Sequence, residues 1–317
     1  MLLPTLAVIV GLACLVFSAD WFVDGAASAA KHWGMSPLLI GMLILGFGTS
    51  APEMVVSAFA ALQGNPALAL GNGFGSNVAN IGLVLGVSAL IGYVSIRSDV
   101  VKSELPLLLA ATLLVGFLVL DAHISRVEGG ILLAAFAGIM GWSIYRGLQV
   151  SKDPLEDEVS EELEEVLPMK KAAFFLFAGL IILVASSRLL VWGAVDIAQA
   201  WGVSDMLIGL TVVAIGTSLP ELAASVAAVR KGEHELVVGN IVGSNLFNTL
   251  MVVGIAAVIT PINPSLASVW VDWGVMAAFT LFLLVMGIGV LGRKGFGKLE
   301  GILLLAGYVA YLVYLVA

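Results

Sequence analysis

The sequence predicts an all-α polytopic membrane protein in which ten transmembrane helices form two inverted five-helix repeats. Composition, a series of long apolar runs and an internal duplication support this prediction. Of the 317 residues, 60% are hydrophobic and 11% are charged, about half the charged share of a soluble domain. Such a chain has too few polar side chains to cover the surface of a soluble globule. The net charge of −8 also disfavours nucleic acid as a partner, because phosphate binding needs an excess of Lys and Arg.

Ten apolar runs are long enough to cross a bilayer core of roughly 30 Å, which takes about 20 helical residues. They are predicted at residues 2–30, 38–63, 68–93, 104–121, 126–148, 170–199, 206–230, 236–260, 267–291 and 298–317. The first run begins without a basic segment and carries Asp20 and Asp24 near its end. It is therefore expected to be a retained span rather than a cleaved signal peptide.

The basic residues lie almost entirely on one side of these predicted spans. Loops after odd-numbered spans hold twelve of the fourteen Lys and Arg residues, and the other two are Arg126 and Arg188. Because short basic loops stay in the cytoplasm, both termini are predicted outside the cell membrane, that is, the plasma or inner membrane. A wrong span count would scatter the basic residues over both sides, so this asymmetry also supports ten spans.

The predicted organisation has three parts, namely a five-helix repeat over 1–150, an acidic cytoplasmic linker over 151–168 and an inverted five-helix repeat over 169–317. The linker carries eight acidic residues and one Lys, and so accounts for −7 of the net charge. Such charge runs usually form a solvated surface. Weak attraction of cytoplasmic cations is the alternative interpretation.

The second half of the chain repeats the first at an offset of 168 residues. Residues 41–90 align without a gap with 209–258, and 19 of the 50 positions are identical. The matches concentrate in residues 48–53 against 216–221 and in residues 71–77 against 239–245. Because each copy has an odd number of spans, the second copy has the opposite orientation in the membrane. This arrangement is typical of secondary transporters, whose substrate site lies near the middle of the membrane where the copies meet.

Glu53 and Glu221 occupy equivalent positions inside apolar spans. A carboxylate there costs several kcal/mol when unpaired and usually marks an ion or proton pathway. Arg188 is the basic residue within a span, and its candidate partners near a membrane face are Asp20, Asp24 and Asp196. Two carboxylates without a fixed counter-charge predict a site for one divalent cation or for more than one monovalent cation.

Each glutamate follows a segment that contains glycine, hydroxyl side chains and proline. Pro52 and Pro220 lack an N–H group, so the helix is expected to be kinked or unwound just before each of them, giving broken helices at the ion site. Backbone carbonyls freed in this way need partners, and cations provide them. Four residues of these stretches add hydroxyl oxygens: Thr49, Ser50, Thr217 and Ser218.

A second duplicated block supplies further oxygen atoms. Ser76 and Asn80 are four residues apart and share one helix face, and Ser244 and Asn248 repeat this spacing. Helix packing alone is an alternative role for the two asparagines. Four other asparagines are expected instead to bond the backbone at the helix breaks: Asn72, Asn77, Asn240 and Asn245.

Carboxylate, hydroxyl, carbonyl and amide oxygens together suit a hard cation such as Ca²⁺, which accepts roughly six to eight oxygen ligands. Zn²⁺ or Cu²⁺ prefers His and Cys ligands. The three histidines lie at predicted span ends and Cys14 is isolated, so transport of a transition metal is not expected.

These motifs resemble the two α-repeats of the sodium/calcium exchanger family, within the Ca²⁺:cation antiporter superfamily. The resemblance rests on residues 48–53 with 71–80 and on residues 216–221 with 239–248, and residues 18–23 are similar to prokaryotic members. It implies antiport of Ca²⁺ outward against Na⁺ inward, with no cofactor. It also implies that Glu53 and Glu221 are the central Ca²⁺ ligands, which Na⁺ also uses.

The resemblance implies roles for the other site residues as well. The backbone carbonyls of Thr49 and Thr217 would help to coordinate Ca²⁺, and Asn80 with Asn248 would form a polar pair in the middle of the site. Flanking Na⁺ sites would use the hydroxyls of Ser50, Ser218, Ser76 and Ser244. Some relatives, including K⁺-dependent exchangers, carry Asp at the position of Asn248, so this residue argues against dependence on K⁺.

Other functions are open at this point. An H⁺- or K⁺-dependent cation antiporter is the nearest alternative, because two carboxylates in an apolar site can also exchange protons. An enzyme is not expected, since neither glutamate has a His or Lys partner at its predicted depth. A non-transporting scaffold does not explain the duplicated glutamates. The expected partners are Ca²⁺, Na⁺ and membrane lipid, with no obligate protein partner.

Overall fold

The structure is a computed structural model that describes residues 1–150, 166–202, 214–264, 266–290 and 292–316. These residues are almost entirely helical. The acidic side chains of the predicted linker lie outside the described residues, as do residues 206–213 of the seventh predicted span.

The long helices follow the apolar runs closely. In the first half they are α1 (Leu2–Trp33), α2 (Pro37–Leu62), α3 (Pro66–Ile91), α4 (Glu104–Leu118) and α5 (Arg126–Val150). In the second half they are α6 (Met169–Ala200), α7 (Leu219–Arg230), α8 (His234–Ile259), α9 (Leu266–Ile288) and α10 (Lys298–Val316). Short helices span Ser98–Lys102 and Ala214–Thr217. Within the described ranges, nine helical segments are long and apolar enough to cross a membrane, the fourth being Val100–Leu118, which includes α4, and α7 is shorter.

Local signals set the sharp connection between α1 and α2. The residue after α1, Gly34, has φ 59, a left-handed conformation that glycine adopts without steric cost. Ser36 then caps α2, because its side chain accepts a hydrogen bond from the backbone N of Leu39 at 3.3 Å. Pro37 occupies the first turn of α2, where its missing N–H group has no intrahelical partner to lose.

The helices α1 and α6 pack against each other as an antiparallel pair. Gly11 of α1 faces Leu190 of α6, and Gly179 of α6 faces Phe22 of α1. A Cβ atom on Gly179 would lie 2.7 Å from the backbone N of Phe22, so only glycine permits this approach. Small residues at helix contacts are the usual means of close packing in membranes.

The centre of the molecule is formed by α2, α3 and α8. The most apolar stretches of these helices are 61%, 72% and 83% buried, against 22% to 33% for α1, α5, α6, α9 and α10. Glycines again allow the approach of α2 to α8, since a Cβ on Gly41 would lie 2.9 Å from the carbonyl of Leu236. The duplicated motifs lie on these three helices, on the short helix Ala214–Thr217 and on α7.

The central helices are irregular where the motifs occur. Turns of π-helix lie at Gly41–Leu45 in α2, Asn80–Leu85 in α3 and Phe247–Val252 in α8. Such turns are rare and frequently mark functional sites.

The two prolines have different effects on the backbone. In the second copy the helix is interrupted at Ser218, between Ala214–Thr217 and α7, as predicted. In the first copy the α-helix runs through Pro52, so the helix is not unwound at Thr49 and Ser50, and of the predicted kink or unwinding only a kink stays a prediction there. Pro52 removes the donor for one carbonyl, that of Gly48, and the remaining backbone hydrogen bonds keep the helix intact.

Two small β contacts join the repeats. The strand β1 (Val94–Ser95) pairs antiparallel with β2 (Gly295–Phe296), and Ile124 forms a bridge with Ile262. In the first contact, β1 follows α3 and β2 precedes α10. In the second contact, Ile262 follows α8 and Ile124 precedes α5. The offset of the duplication relates Val94 to Ile262, so the two contacts are counterparts in the inverted repeats.

Candidate ion-binding site

Glu53 on α2 and Glu221 on α7 are both buried, with 2% of each residue exposed. The hydroxyl of Ser50 donates a hydrogen bond to Oε1 of Glu221 at 3.4 Å. A side chain of the first copy therefore contacts the carboxylate of the second. The Oε2 atom of each glutamate has no hydrogen-bond partner within the described part of the chain. The structure thus joins Ser50 to Glu221 across the two copies and leaves one carboxylate oxygen of each glutamate without a partner in the described part of the chain.

An asparagine anchors the backbone of each glutamate in the same way. Asn72 donates from Nδ2 to the hydroxyl of Ser57 at 3.0 Å and to the carbonyl of Glu53 at 3.4 Å. Asn240 donates to Ser225 at 3.0 Å and to the carbonyl of Glu221 at 3.4 Å. These contacts confirm that Asn72 and Asn240 bond the backbone. They tie α2 to α3 and α7 to α8 at the level of the site.

The hydroxyl of Thr49 connects the first copy to α8. It donates to the carbonyl of Leu45 at 2.9 Å and lies 3.3 Å from Oδ1 of Asn240 and 3.4 Å from Oγ of Ser244. A hydroxyl has one hydrogen to donate, so Asn240 is an alternative acceptor to Leu45. Thr49 and Ser244 are completely buried.

In the second copy, the helix is interrupted at Ser218, and a side chain of α6 bonds the backbone beside the interruption. Ser218 lies at the interruption with φ −90 and ψ 4 and is buried, and Thr217 is partly buried. Pro220 cannot donate to the carbonyl of Gly216, which is four residues earlier. The hydroxyl of Ser187 on α6 donates to that carbonyl instead, at 3.0 Å.

The second duplicated block lies across the contact between α3 and α8. Ser76, Asn80 and Asn248 are buried there, and the two asparagines lie in or at the π-helical turns. Asn80 donates from Nδ2 to Oδ1 of Asn245 at 3.1 Å. Asn77 donates to Oγ1 of Thr249. The expectation that Asn77 and Asn245 bond the backbone is therefore wrong, since these hydrogen bonds join side chains across the two repeats.

Basic residues contribute no ion pair to Glu53 or Glu221 within the described ranges. Asp24, a predicted partner of Arg188, instead forms a salt bridge with Lys231, with 2.6 Å between Oδ1 and Nζ. No group of three or more His, Cys, Asp and Glu side chains forms among the described residues. A cation in this centre would therefore be held by two carboxylates and by neutral oxygen atoms.

Several contacting residues were not singled out by the sequence. Ser57 and Ser225 are identical in the repeat alignment, so that alignment contains the signal that could have identified them. Thr249 and Ser187 have Ile81 and Ala19 at the equivalent positions, so no duplication marks these two residues.

A buried centre of carboxylate, hydroxyl and amide oxygens, enclosed by two inverted repeats of membrane helices, defines a secondary ion transporter. Residues 3–145 and 171–317 match the family described as sodium/calcium exchanger protein. The chain therefore belongs to the sodium/calcium exchanger family, and its function is antiport of Ca²⁺ and Na⁺ across a membrane.

Individual proteins agree with this assignment. The chain is 45% identical over 312 residues to the putative antiporter CaxA of Alkalimonas amylolytica, and the match covers 98% of each chain. It is 37% identical over 322 residues to the inner membrane protein YrbG of Escherichia coli, covering 99% of this chain and 97% of the relative. The structure of the sodium-calcium exchanger NCX_Mj soaked with 10 mM Na⁺ and 10 mM Sr²⁺ superposes with a TM-score of 0.85, with 31% identity and coverage of 98% of both chains. The predicted fold and family are thus confirmed.

Proposed function

We propose that Ca²⁺ and Na⁺ compete for one site built around Glu53 and Glu221, and that this competition couples their fluxes. The observation that carries the proposal is the meeting of the two copies at Ser50 and Glu221, with an unpartnered Oε2 atom on each glutamate. A buried carboxylate without a partner is costly. Bound cations remove that cost.

The neutral ligands complete the proposed site. Thr49 and Thr217 provide backbone carbonyls, and Thr217 lies at the end of the short helix Ala214–Thr217, next to the interruption at Ser218. Asn80 and Asn248 provide amide oxygens that have no partner among the described residues. The hydroxyl ligands are those of Ser50, Ser218, Ser76 and Ser244.

Charge neutralisation explains why the two ions exchange. Two ionised carboxylates give the empty site a charge of −2, which one Ca²⁺ ion cancels and which Na⁺ ions can also cancel. Moving buried charge through a low-dielectric barrier costs several kcal/mol. The change of access is therefore favoured when the site is loaded, and uncoupled leak through the empty site is disfavoured.

We infer the orientation from the basic loops, which place both termini outside and give an inner or plasma membrane location. Similarity to an inner membrane protein of Escherichia coli supports that location. The direction of the proposed exchange, Ca²⁺ outward and Na⁺ inward, rests on membership of the sodium/calcium exchanger family. Residues 1–150 and 169–317 form the two inverted halves, and 151–168 is the linker between them.

Substitution of each glutamate tests the shared site. Purified E53Q and E221Q variants are reconstituted in proteoliposomes, and uptake of radioactive Ca²⁺ driven by a Na⁺ gradient is measured. Loss of a charged ligand costs about 1.5–3 kcal/mol, so affinity is expected to fall by on the order of 10- to 100-fold and uptake at micromolar Ca²⁺ to disappear.

E128Q is the matched control. Glu128 accepts hydrogen bonds from the backbone N and the hydroxyl of Ser125 at 2.7 Å, and glutamine keeps an acceptor for this cap. Wild-type uptake is expected in E128Q. Unchanged uptake in E53Q or E221Q contradicts the proposed site. Uptake driven by a pH gradient without Na⁺ would contradict coupling to Na⁺.

A further inference from the structure

Four buried asparagines lie where α3 crosses α8, and the duplication relates them in two pairs. Asn77 corresponds to Asn245, and Asn80 corresponds to Asn248. Each of the four is 1% exposed. An amide group has one acceptor oxygen and one donor nitrogen, so its orientation decides whether it attracts or repels a cation. Where an amide makes hydrogen bonds with neighbouring side chains, these bonds set its orientation.

Asn245 contacts the amide of Asn80 at its nitrogen end. Nδ2 of Asn80 donates to Oδ1 of Asn245 at 3.1 Å. Oδ1 of Asn80 is buried and has no hydrogen-bond partner in the described part of the chain. Because the two ends of an amide point in different directions, holding Nδ2 on Asn245 directs Oδ1 of Asn80 away from that contact.

We propose that Asn245 is a positioning residue that orients Asn80 so that its carbonyl oxygen, rather than its NH₂ group, faces the transported ions. This inference rests on the proposed function, in which Asn80 is an ion ligand. If Asn80 were reversed, Nδ2 would point its partial positive charge at the cation. Asn245 acts through Asn80 and does not itself hold the ion.

The second pair shows that this arrangement is specific to one copy. The equivalent contact would join Nδ2 of Asn248 to Oδ1 of Asn77, but neither atom has a partner among the described residues. Nδ2 of Asn77 instead donates to Oγ1 of Thr249 at 2.6 Å and lies 3.1 Å from the sulfur of Met276. Ile81 replaces Thr249 at the equivalent position, so nothing similar diverts Asn245 from Asn80.

A set of four variants tests this role: N80A, N245L, N245D and the double variant N80A/N245L. The measured quantities are the half-saturating Na⁺ and Ca²⁺ concentrations and the maximal rate of exchange in proteoliposomes. N245L is expected to raise the half-saturating concentration of at least one ion threefold or more, with a change of less than twofold in maximal rate. N245D keeps an acceptor oxygen for Asn80, so it is expected not to raise either concentration.

The double variant separates positioning from a general structural effect. If Asn245 acts through Asn80, adding N245L to N80A causes no further rise in the half-saturating concentration. An additional rise of the same size as in N245L alone overturns the proposal. If N245L does not fold, N245S replaces it in every comparison. The serine side chain is shorter than asparagine, so its hydroxyl is not expected to reach the amide of Asn80.

The single variants distinguish the role of Asn80 as an ion ligand from the role of Asn245 as a positioning residue. If N80A leaves both half-saturating concentrations unchanged, Asn80 is not a ligand and the proposed function fails at this residue. If N80A raises them and N245L does not, the role of Asn245 alone is overturned. S88A is the control, because Ser88 is a buried hydroxyl of α3 without a partner among the described residues, and no change is expected.

Discussion

The two asparagines that anchor the glutamates allow a comparison within one molecule. Asn240 is completely buried and makes three side-chain contacts, with Ser225 at 3.0 Å, the carbonyl of Glu221 at 3.4 Å and the hydroxyl of Thr49 at 3.3 Å. Asn72 is partly buried and makes two equivalent contacts, with the hydroxyl of Ser57 and with the carbonyl of Glu53. Loss of the amide is therefore expected to cost more at residue 240 than at residue 72.

Alanine substitution gives the size of this difference. A net hydrogen bond contributes about 0.5–1.5 kcal/mol, and a buried group left without a partner costs more. The contacts at 3.3–3.4 Å lie near the upper limit of useful distances. N240A is therefore expected to lose about 2–3 kcal/mol of unfolding free energy, and N72A about 1–2 kcal/mol.

The assay is thermal unfolding of the purified protein in detergent, without Ca²⁺ and at constant Na⁺. With a shift of about 2 °C for each kcal/mol in a chain of this size, N240A is expected to melt a few degrees below N72A. Equal melting temperatures, or a lower one for N72A, would refute the reasoning. They would mean that the contact between Asn240 and Thr49, and the deeper burial of Asn240, contribute nothing to stability.

Two further predictions concern helix packing and surface charge. G243A is expected to reduce the folded yield and Ca²⁺ flux, because a Cβ on Gly243 would lie 2.6 Å from Cα of Met42. Size-exclusion chromatography measures the folded yield, and transport in proteoliposomes measures the flux. G71A is the control and is expected to behave as wild type, because a Cβ on Gly71 meets no atom within 4 Å. K231M removes the partner of Asp24 in an ion pair whose side chains are 30% and 41% exposed. It is expected to lower the unfolding free energy by less than about 1 kcal/mol, and a larger loss in thermal unfolding would contradict a solvent-screened pair.

The apolar runs predicted the long helices closely, because the property that places a helix in a membrane is local in sequence. The run predicted at 38–63 is the helix Pro37–Leu62, and the run at 236–260 is His234–Ile259. The effect of proline was less predictable. A missing N–H group predicts one lost hydrogen bond, but neighbouring helices decide whether the chain bends or breaks there.

Most candidate ion ligands could be found from the sequence because the duplication marks them. The duplicated glutamates are buried, as are Asn80 and Asn248, and Ser50 of the first copy contacts Glu221 of the second. Their partners could not be found in the same way. Identical positions in two copies do not reveal that Asn245 bonds Asn80 while Asn77 bonds Thr249.

The class of protein, the number of apolar runs and a duplicated pair of carboxylates within those runs can all be read from the amino-acid sequence. These features follow from composition, from runs of about 20 residues and from an alignment of the chain with itself. Which atoms are in contact depends on the packing of helices that are distant in the sequence. The contact of Ser50 with Glu221 joins residues 171 positions apart, and that of Asn80 with Asn245 joins residues 165 positions apart. Hydrogen bonds act over roughly 3 Å, so only the crossing of the inverted repeats in space can select them.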